Sequence, residues 1–475
     1  MDGRRVVARI GAALAVTLVV GTAGYVAADA YDVVPGLVTL DPVPAPAAPF
    51  PSAPAAVDAP PVSAAVDQLD PAAPVPAPEQ VRGLADALVA DPRMGTSVGV
   101  VVADVLTGEV LADVDGARAR VPASTAKLIT GLAAITALGP DRTLPTTVVQ
   151  AGAGRIALVG GGDMMLTAGA GDPDAVNGRA GLVDLAAQTA RSLRLAGTTE
   201  VSLQVDDTLF SGPAINPGWR PSDVNAGYVA AVAALGVNVA KTREAPYPPR
   251  VADPALHTAQ TFAALLGEQG ITVTGGPTRG AAPDGAVELG RVESAPVVEV
   301  ARYAMQVSEN TITEVLGRLV AIERGLPGSF EGATTAVLAE LGRQGLDVTG
   351  ARLADCSGLA DGSALPAALL ADLLLLAAEP GNVALLPVVV DLPVAGWQGT
   401  LSDRFLDGPA EGLVRAKTGS LPGVTSLAGT VQTAQGRLLV FAVLADATPP
   451  GGQLPPRAAI DAFVQQLAGC GCQLP

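Results

Sequence analysis

Pro122-Ala-Ser124-Thr-Ala-Lys127-Leu-Ile-Thr-Gly-Leu-Ala-Ala-Ile-Thr-Ala-Leu138 is the stretch from which the rest of the chain is read. Pro122 opens a helix. Leu128, Ile129, Leu132, Ile135 and Leu138 recur at helical spacing, and Gly139-Pro140 stops it. Ser124 and Lys127 then share one face about a turn apart. A weakly nucleophilic hydroxyl has a base beside it, provided the amine is held neutral. Serine and lysine meet this way by chance in many helices, so scarcity gives the motif its weight. The chain has three lysines in 475 residues, Lys127, Lys241 and Lys417, and Lys417-Thr418-Gly419 places a second of them beside a hydroxyl.

Composition narrows the chemistry. The formal net charge is −17, with no run of lysine and arginine and no basic–aromatic stripe, which argues against nucleic acid as a partner. One histidine, His257, lies in what reads as an ordinary helix start. A multi-histidine zinc site therefore cannot be built, a Ser-His-Asp triad would have to use His257, and no cofactor is called for. The three cysteines, Cys356, Cys470 and Cys472, form no C-x-x-C pair. Neighbours spaced like Cys470 and Cys472 rarely bridge each other comfortably. A tail cysteine reaching back to Cys356 in an oxidising compartment is one expectation; free buried thiols are the other.

Residues 1–30 read as a signal peptide or a membrane anchor. Arg4 and Arg5 precede an apolar run from Val6 to Ala28 broken by Arg9, and Ala28-Asp29-Ala30 has the form of a signal-peptidase site. The run is long enough to span a bilayer, and with the positive end inside, everything beyond is exported. Residues 31–79 are a Pro/Ala-rich linker of extended, polyproline character. Folded structure is expected from about Glu79, with a short helix over 80–88 and a hairpin of strands 97–105 and 109–114 feeding the Ser124 helix. Residues 80–139 form the first part of a catalytic domain. Residues 140–290 form an inserted mixed α/β domain, with strands over 156–163, 201–206 and 237–239 and helices over 179–195 and 255–269. Asp163, Asp206 and Asp207 there are read as turn and cap residues. Residues 291–475 return to the catalytic domain: helices over 297–305, 311–324, 364–378 and 456–467, and antiparallel strands 413–418, 425–432 and 437–446.

Three motifs thus follow in order, Ser124-x-x-Lys127, Ser308-x-Asn310 and Lys417-Thr418-Gly419. This trio is the signature of penicillin-binding proteins and class A β-lactamases. Each member has a physical task. Lys127 acts as base if burial and the charge of Lys417 depress its pKa. Ser308 relays a proton toward the leaving amine, and Asn310 holds Lys127 and a substrate amide. Lys417, Thr418 and Ser420 suit a terminal carboxylate. Gly419 lets a peptide lie close along the strand edge. The backbone N–H groups of Ser124 and Ser420 would form an oxyanion hole, worth about 3–4 kcal/mol per donor.

From about residue 80 to 465 the chain resembles the class C low-molecular-mass penicillin-binding proteins, D-alanyl-D-alanine carboxypeptidases and endopeptidases. Beyond the trio the likeness rests on Gly160-Gly-Gly-Asp163, Asp206-Asp-Thr-Leu-Phe-Ser-Gly-Pro213 with Pro217-Gly-Trp219, and Asp355-Cys-Ser-Gly-Leu359. Gly399-Thr-Leu-Ser-Asp-Arg-Phe405, Val414-Arg-Ala-Lys-Thr-Gly419 and Ser426-Leu-Ala-Gly429 complete it. The resemblance implies an α+β fold of the β-lactamase/transpeptidase type, an antiparallel sheet flanked by helices, with extra structure between the first and second motifs. Ser124 and Ser308 lie 184 positions apart, room for one insertion where the family carries two. It further implies a serine acyl-enzyme, peptidoglycan stem peptides as substrate, β-lactams as inhibitors and a place in the cell envelope. Cys356 stands where a small residue is expected, again pointing to a link with the tail. A β-lactamase, an inactive cell-wall binding module and a purely structural surface protein are the competing readings.

Overall fold

The computed structural model describes residues 3–30, 34 and 69–470, with side chains from residue 17 onward. Most of the expected linker lies outside those residues. The chain divides into two units, Met1–Asp67 and Gln68–Pro475. In the first, Gly3–Ala30 is one helix. Among the described residues no helix is long and apolar enough to cross a membrane.

The second unit starts about ten residues earlier than expected, and a buried charge explains why. Asp104 and Arg437, both almost without exposure, form an ion pair at the end of two paired strands. The remaining guanidinium hydrogens need acceptors. The backbone carbonyls of Pro71 (3.3 Å) and Ala73 (3.2 Å) provide them, which pins this segment ahead of the Pro78–Ala90 helix.

The sheet that carries the site has five antiparallel strands. Their spatial order is Val414–Leu421, Val424–Gln432, Leu438–Ala445, Val98–Asp104, Val110–Val114. The first expected strand therefore pairs with the last one. Strand alternation sends its side chains into two cores. Val98, Val100 and Val102 join Leu427, Phe441 and Val443 beneath the Pro78–Ala90 and Leu454–Ala468 helices. Val101 and Ala103 join Ala428, Val440, Ala442 and Leu444 against a helical layer on the other face. That layer contains Lys127–Leu138, Val297–Gln306, Asn310–Glu323, Phe330–Arg343 and Ala367–Ala378. Ten of the twelve residues of Lys127–Leu138 are buried, so this helix is apolar all round because it is packed all round. Phe330–Arg343, started by the Ser329 side chain on the Gly332 amide at 3.1 Å, has no counterpart in the sequence reading.

Between the first two motifs lies a second, mixed sheet in the order Thr278–Arg279, Glu200–Asp206, Arg155–Gly160, Pro145–Gly152, Glu288–Glu293. The helices Leu182–Leu195 and Pro254–Glu268 cover it, around a core of its own with Ile156, Leu158, Leu185, Leu203 and Phe262. The strands Pro145–Gly152 and Glu288–Glu293 were not anticipated. They are half-buried and carry Thr, Gln and Glu, so their period-2 signal is weak.

The expected link from the tail to Cys356 does not form. Cys356 is a free, fully buried thiol, and Cys470 is disulfide-bonded. The Cys356 sulfur faces inward against Gly317, where an added Cβ would meet it at 2.3 Å. The glycine makes room for the thiol.

Candidate active site

Ser124 lies in a 3-10 turn, Ala123–Ala126, that runs straight into the Lys127–Leu138 helix. Ala123 has φ of 49°, a strained value for a residue with a side chain. The 355–360 loop presses on it: a Cβ on Gly358 would lie 1.9 Å from the Ala123 carbonyl oxygen.

Lys127 Nζ is within hydrogen-bond distance of three oxygens: Ser124 Oγ at 3.0 Å, Asn310 Oδ1 at 2.5 Å and the Ser357 carbonyl at 2.9 Å. Its side chain is fully buried, and burial pushes the amine down from 10.5 to about 8, against the pull of Asp355, Glu314 and Glu309. The geometry fixes what the neutral amine does. Asn310 Oδ1 and the Ser357 carbonyl can only accept, so they take its two N–H bonds. The lone pair is left facing the Ser124 hydroxyl. Of the two causes expected to depress Lys127, burial acts, and Lys417 contributes nothing to the shift. Lys417 itself is pushed well below the ordinary lysine range by burial and by the charge of Lys127.

The second motif is held by groups the sequence reading missed. Ser308 occupies the left-handed region at φ 56°, between the helices Val297–Gln306 and Asn310–Glu323. Its Oγ accepts from Lys417 Nζ at 2.9 Å. Glu309 caps the second helix at Thr311 and pairs with Arg250 at 3.2 Å, both side chains nearly buried. Asn310 Nδ2 donates to the Tyr228 carbonyl at 2.9 Å, so one of the amide hydrogens expected to serve substrate is spent on the protein. The 227–250 segment is thereby tied to the catalytic loop.

Glu314 is one turn beyond Asn310, on the same helix face. Its carboxylate accepts from the Cys356 amide at 3.1 Å and the Ser357 amide at 2.8 Å, and burial raises its pKa to about 8. Asp355 is fully buried and accepts from Trp219 Nε1 (2.8 Å), Ser357 Oγ (3.0 Å) and the amides of Gly358 (2.7 Å), Leu359 (3.2 Å) and Ala360 (2.8 Å). The Gly358 N–H and the Ser357 C=O are the two ends of one peptide unit. A carboxylate at its donor end strengthens the carbonyl that faces Lys127. The i, i+4 spacing of Asn310 and Glu314 was a readable signal; the role of Asp355 was not, because it acts through backbone.

The third motif lies on Val414–Leu421, the edge strand of the sheet. Near its start the backbone of Val414 and Ala416 faces outward, bonded to Ala395 and Pro393. Alternation turns the N–H groups of Thr418 and Ser420 to the same side. Thr418 Oγ1 donates to Thr400 Oγ1 at 2.9 Å, and Ser420 Oγ accepts from Arg457 at 2.9 Å. Gly419 has a packing task beside the substrate role expected of it. An added Cβ would lie 2.7 Å from the Pro122 carbonyl, 3.1 Å from the Ser124 nitrogen and 2.1 Å from Ser426 Oγ. Ser426 in turn donates to the Pro122 carbonyl at 2.6 Å. Gly419 thus lets the Ala123–Ala126 turn close on the strand. Gly419→Ala is expected to cost about 1–3 kcal/mol of stability by overpacking, read as a lower denaturant midpoint at unchanged slope.

The other candidates stay outside this cluster. His257 is exposed on the Pro254–Glu268 helix. Asp206 accepts from Thr208 and Ala282, a turn role as expected, and Asp207 pairs with Arg279 at 2.9 Å. Asp163 is buried, holds the Met165 amide at 2.7 Å, and is pushed up to about 7 by that burial.

Comparison with known proteins agrees with this arrangement. The D-Ala-D-Ala carboxypeptidase 3 (S13) family matches residues 81–248 and 236–468. The carboxypeptidase DacB of Mycolicibacterium smegmatis is 38% identical over 403 residues, covering 82% of this chain and 85% of that protein. A D-alanyl-D-alanine carboxypeptidase of an Actinomadura species is 30% identical over 471 residues, covering 81% and 83%. In fold, the crystal structure of penicillin-binding protein 4 from Haemophilus influenzae superposes with a TM-score of 0.67 at 24% identity, over 81% of this chain and 98% of that one. On the span of the family match and the identity of these relatives, the chain belongs to the D-Ala-D-Ala carboxypeptidase 3 (S13) family.

Proposed function

We propose that this protein is a serine D-Ala-D-Ala carboxypeptidase acting on peptidoglycan stem peptides through an acyl-enzyme at Ser124. The observation that carries the reading is the placement of Lys127 Nζ, 3.0 Å from Ser124 Oγ and held by two carbonyl-type acceptors, so that in its neutral form the lone pair is aimed at the hydroxyl. Ser124 Oγ attacks the carbonyl of the penultimate D-alanine as Lys127 takes its proton. The oxyanion forms between the N–H groups of Ser124 and Ser420, the one at the start of the turn and the other on the open strand edge. Ser308, bonded to Lys417, returns a proton to the leaving amine as the C–N bond breaks, freeing D-alanine. Water then cleaves the ester by the reverse roles. A β-lactam follows the same first step, and its tethered leaving group stays in place.

The substrate is assembled outside the cytoplasm, and the Gly3–Ala30 helix with its arginine-flanked start serves, in this reading, as the export element. The division into a catalytic body and an insertion over 140–290 belongs to the same proposal, supported by the separate sheet and core of that segment.

The test is a pair of measurements on the purified protein. Incubation with benzylpenicillin should add one penicilloyl mass, mapped to the Ser124 peptide and stable for many minutes. A pentapeptide ending in D-Ala-D-Ala should lose one D-alanine. Rapid penicillin turnover without a lasting adduct would instead make it a lactamase, and no reaction with either compound would make it an inactive module.

A further inference from the structure

The site contains two lysines and one guanidinium, and they are not equivalent as partners for an anion. Lys127 is committed to Ser124, Asn310 and Ser357. Lys417 is fully buried, donates to Ser308 Oγ and the Thr418 carbonyl, and is pushed toward neutrality. Arg457, in the first turn of the Leu454–Ala468 helix, differs from both. It is half-buried and donates through one terminal nitrogen to Ser420 Oγ at 2.9 Å. Among the described residues no carboxylate forms an ion pair with it. The nearby Asp461 is taken by Arg404, and Asp403, Asp461 and Tyr247 act on Arg457 only at longer range, with Arg404 opposing them. A half-buried guanidinium with one terminal nitrogen on a hydroxyl and no ion-pair partner has N–H donors left for an anion.

Its place says which anion. Ser420 is on the open edge strand, two residues from Thr418, and both side chains belong to the sheet face covered by the Arg457 helix. The Ser420 N–H is one of the two donors to the oxyanion in the reading above. A group bonded to the Ser420 hydroxyl is therefore a few ångströms from the scissile carbonyl. An acyl-D-Ala-D-Ala substrate carries one obligatory charge at that distance, the carboxylate of the leaving residue.

We propose that Arg457 is the cationic ligand of the leaving group's C-terminal carboxylate, acting with the hydroxyls of Ser420 and Thr418. This rests on the carboxypeptidase reading and moves to Arg457 the carboxylate charge expected of Lys417. Guanidinium suits the task, since it stays charged when half-buried and binds carboxylate with two parallel N–H bonds. Lys417 then serves proton transfer through Ser308, for which a depressed pKa is an advantage.

The test compares two substrates that differ only at the carboxylate: an acyl-D-Ala-D-Ala peptide with a free C-terminal acid, and its C-terminal carboxamide. Wild type should prefer the acid by about a hundredfold in kcat/KM, the scale set by a charge-assisted hydrogen bond of about 3 kcal/mol. In Arg457→Ala that ratio should fall to within a few-fold of unity. Arg457→Gln, which keeps a donor for Ser420 without charge, should lose the ratio too, and Arg457→Lys should restore part of it. A purely structural role would slow both substrates equally and leave the ratio standing in all three variants, which overturns the inference. A wild type that cleaves both substrates equally overturns it too, while leaving the carboxypeptidase reading intact. If wild type cleaves neither, both fall.

Discussion

An alanine at position 124 is expected to leave the protein folded and chemically silent. Among the described residues the Ser124 hydroxyl has one hydrogen-bond partner, Lys127, and Lys127 keeps its other two oxygens when the hydroxyl is removed. The change in stability should be within about 1 kcal/mol, the net value of one hydrogen bond. Activity behaves differently, because the oxygen is the atom that forms the acyl bond. Release of D-alanine should drop by about 10⁴-fold or more, and intact mass after incubation with benzylpenicillin should be unchanged. An unaltered melting curve beside these losses separates chemistry from misfolding. Turnover retained in Ser124→Ala would falsify the assignment of the nucleophile.

Lys127→Met removes the base while keeping side-chain length and apolar packing. Acylation should slow by about 10²–10⁴-fold, the usual contribution of a positioned general base. The pH dependence carries the sharper expectation. The amine works only when neutral, and its pKa in the folded protein is lowered from 10.5 to about 8. Below about pH 8 the neutral fraction falls tenfold for each pH unit. The wild-type acylation rate should therefore climb with unit slope from pH 6 and level off above about 8. In Lys127→Met the slope should vanish along with the rate. A wild-type profile flat from pH 6 to 9 would mean that another group takes the proton. Some loss of stability accompanies the variant, since Asn310 Oδ1 and the Ser357 carbonyl lose their donor at about 1–3 kcal/mol each. The buried amine's desolvation, relieved by methionine, offsets part of it.

What could be read from the sequence follows from where each signal is stored. The strands Val98–Asp104, Val424–Gln432 and Leu438–Ala445 are long β-branched and apolar runs, and the reading found them within a residue or two. The buried helix Lys127–Leu138 announced itself by Pro122 and Gly139. Ser124 and Lys127 were local, three residues apart on one turn, so their meeting needed no knowledge of the fold. The partners of Lys127 were harder. Asn310 came only with the motif order, and the Ser357 carbonyl is a backbone group that no residue type encodes. Gly419 was read for the substrate, whereas its neighbours Pro122 and Ser426 come from distant parts of the chain. For Cys356 the sequence left a tail cross-link and a free buried thiol both open, because spacing says nothing about which way a thiol points, and the second holds. Its sulfur turns toward Gly317, into the helical layer.

The pairing of the first strand with the last one reaches beyond catalysis. Asp104 waits for Arg437, 333 residues further on, and Val98 to Asp104 wait for the same late segment to lie alongside them. During synthesis the serine leaves the ribosome long before its strand, its second lysine or the far wall of its sheet exist. Contacts this remote in sequence form slowly. Until that segment arrives the chain carries an inert hydroxyl. Reactivity arrives only with the closing hairpin, Val424–Gln432 and Leu438–Ala445, more than 300 residues after the serine.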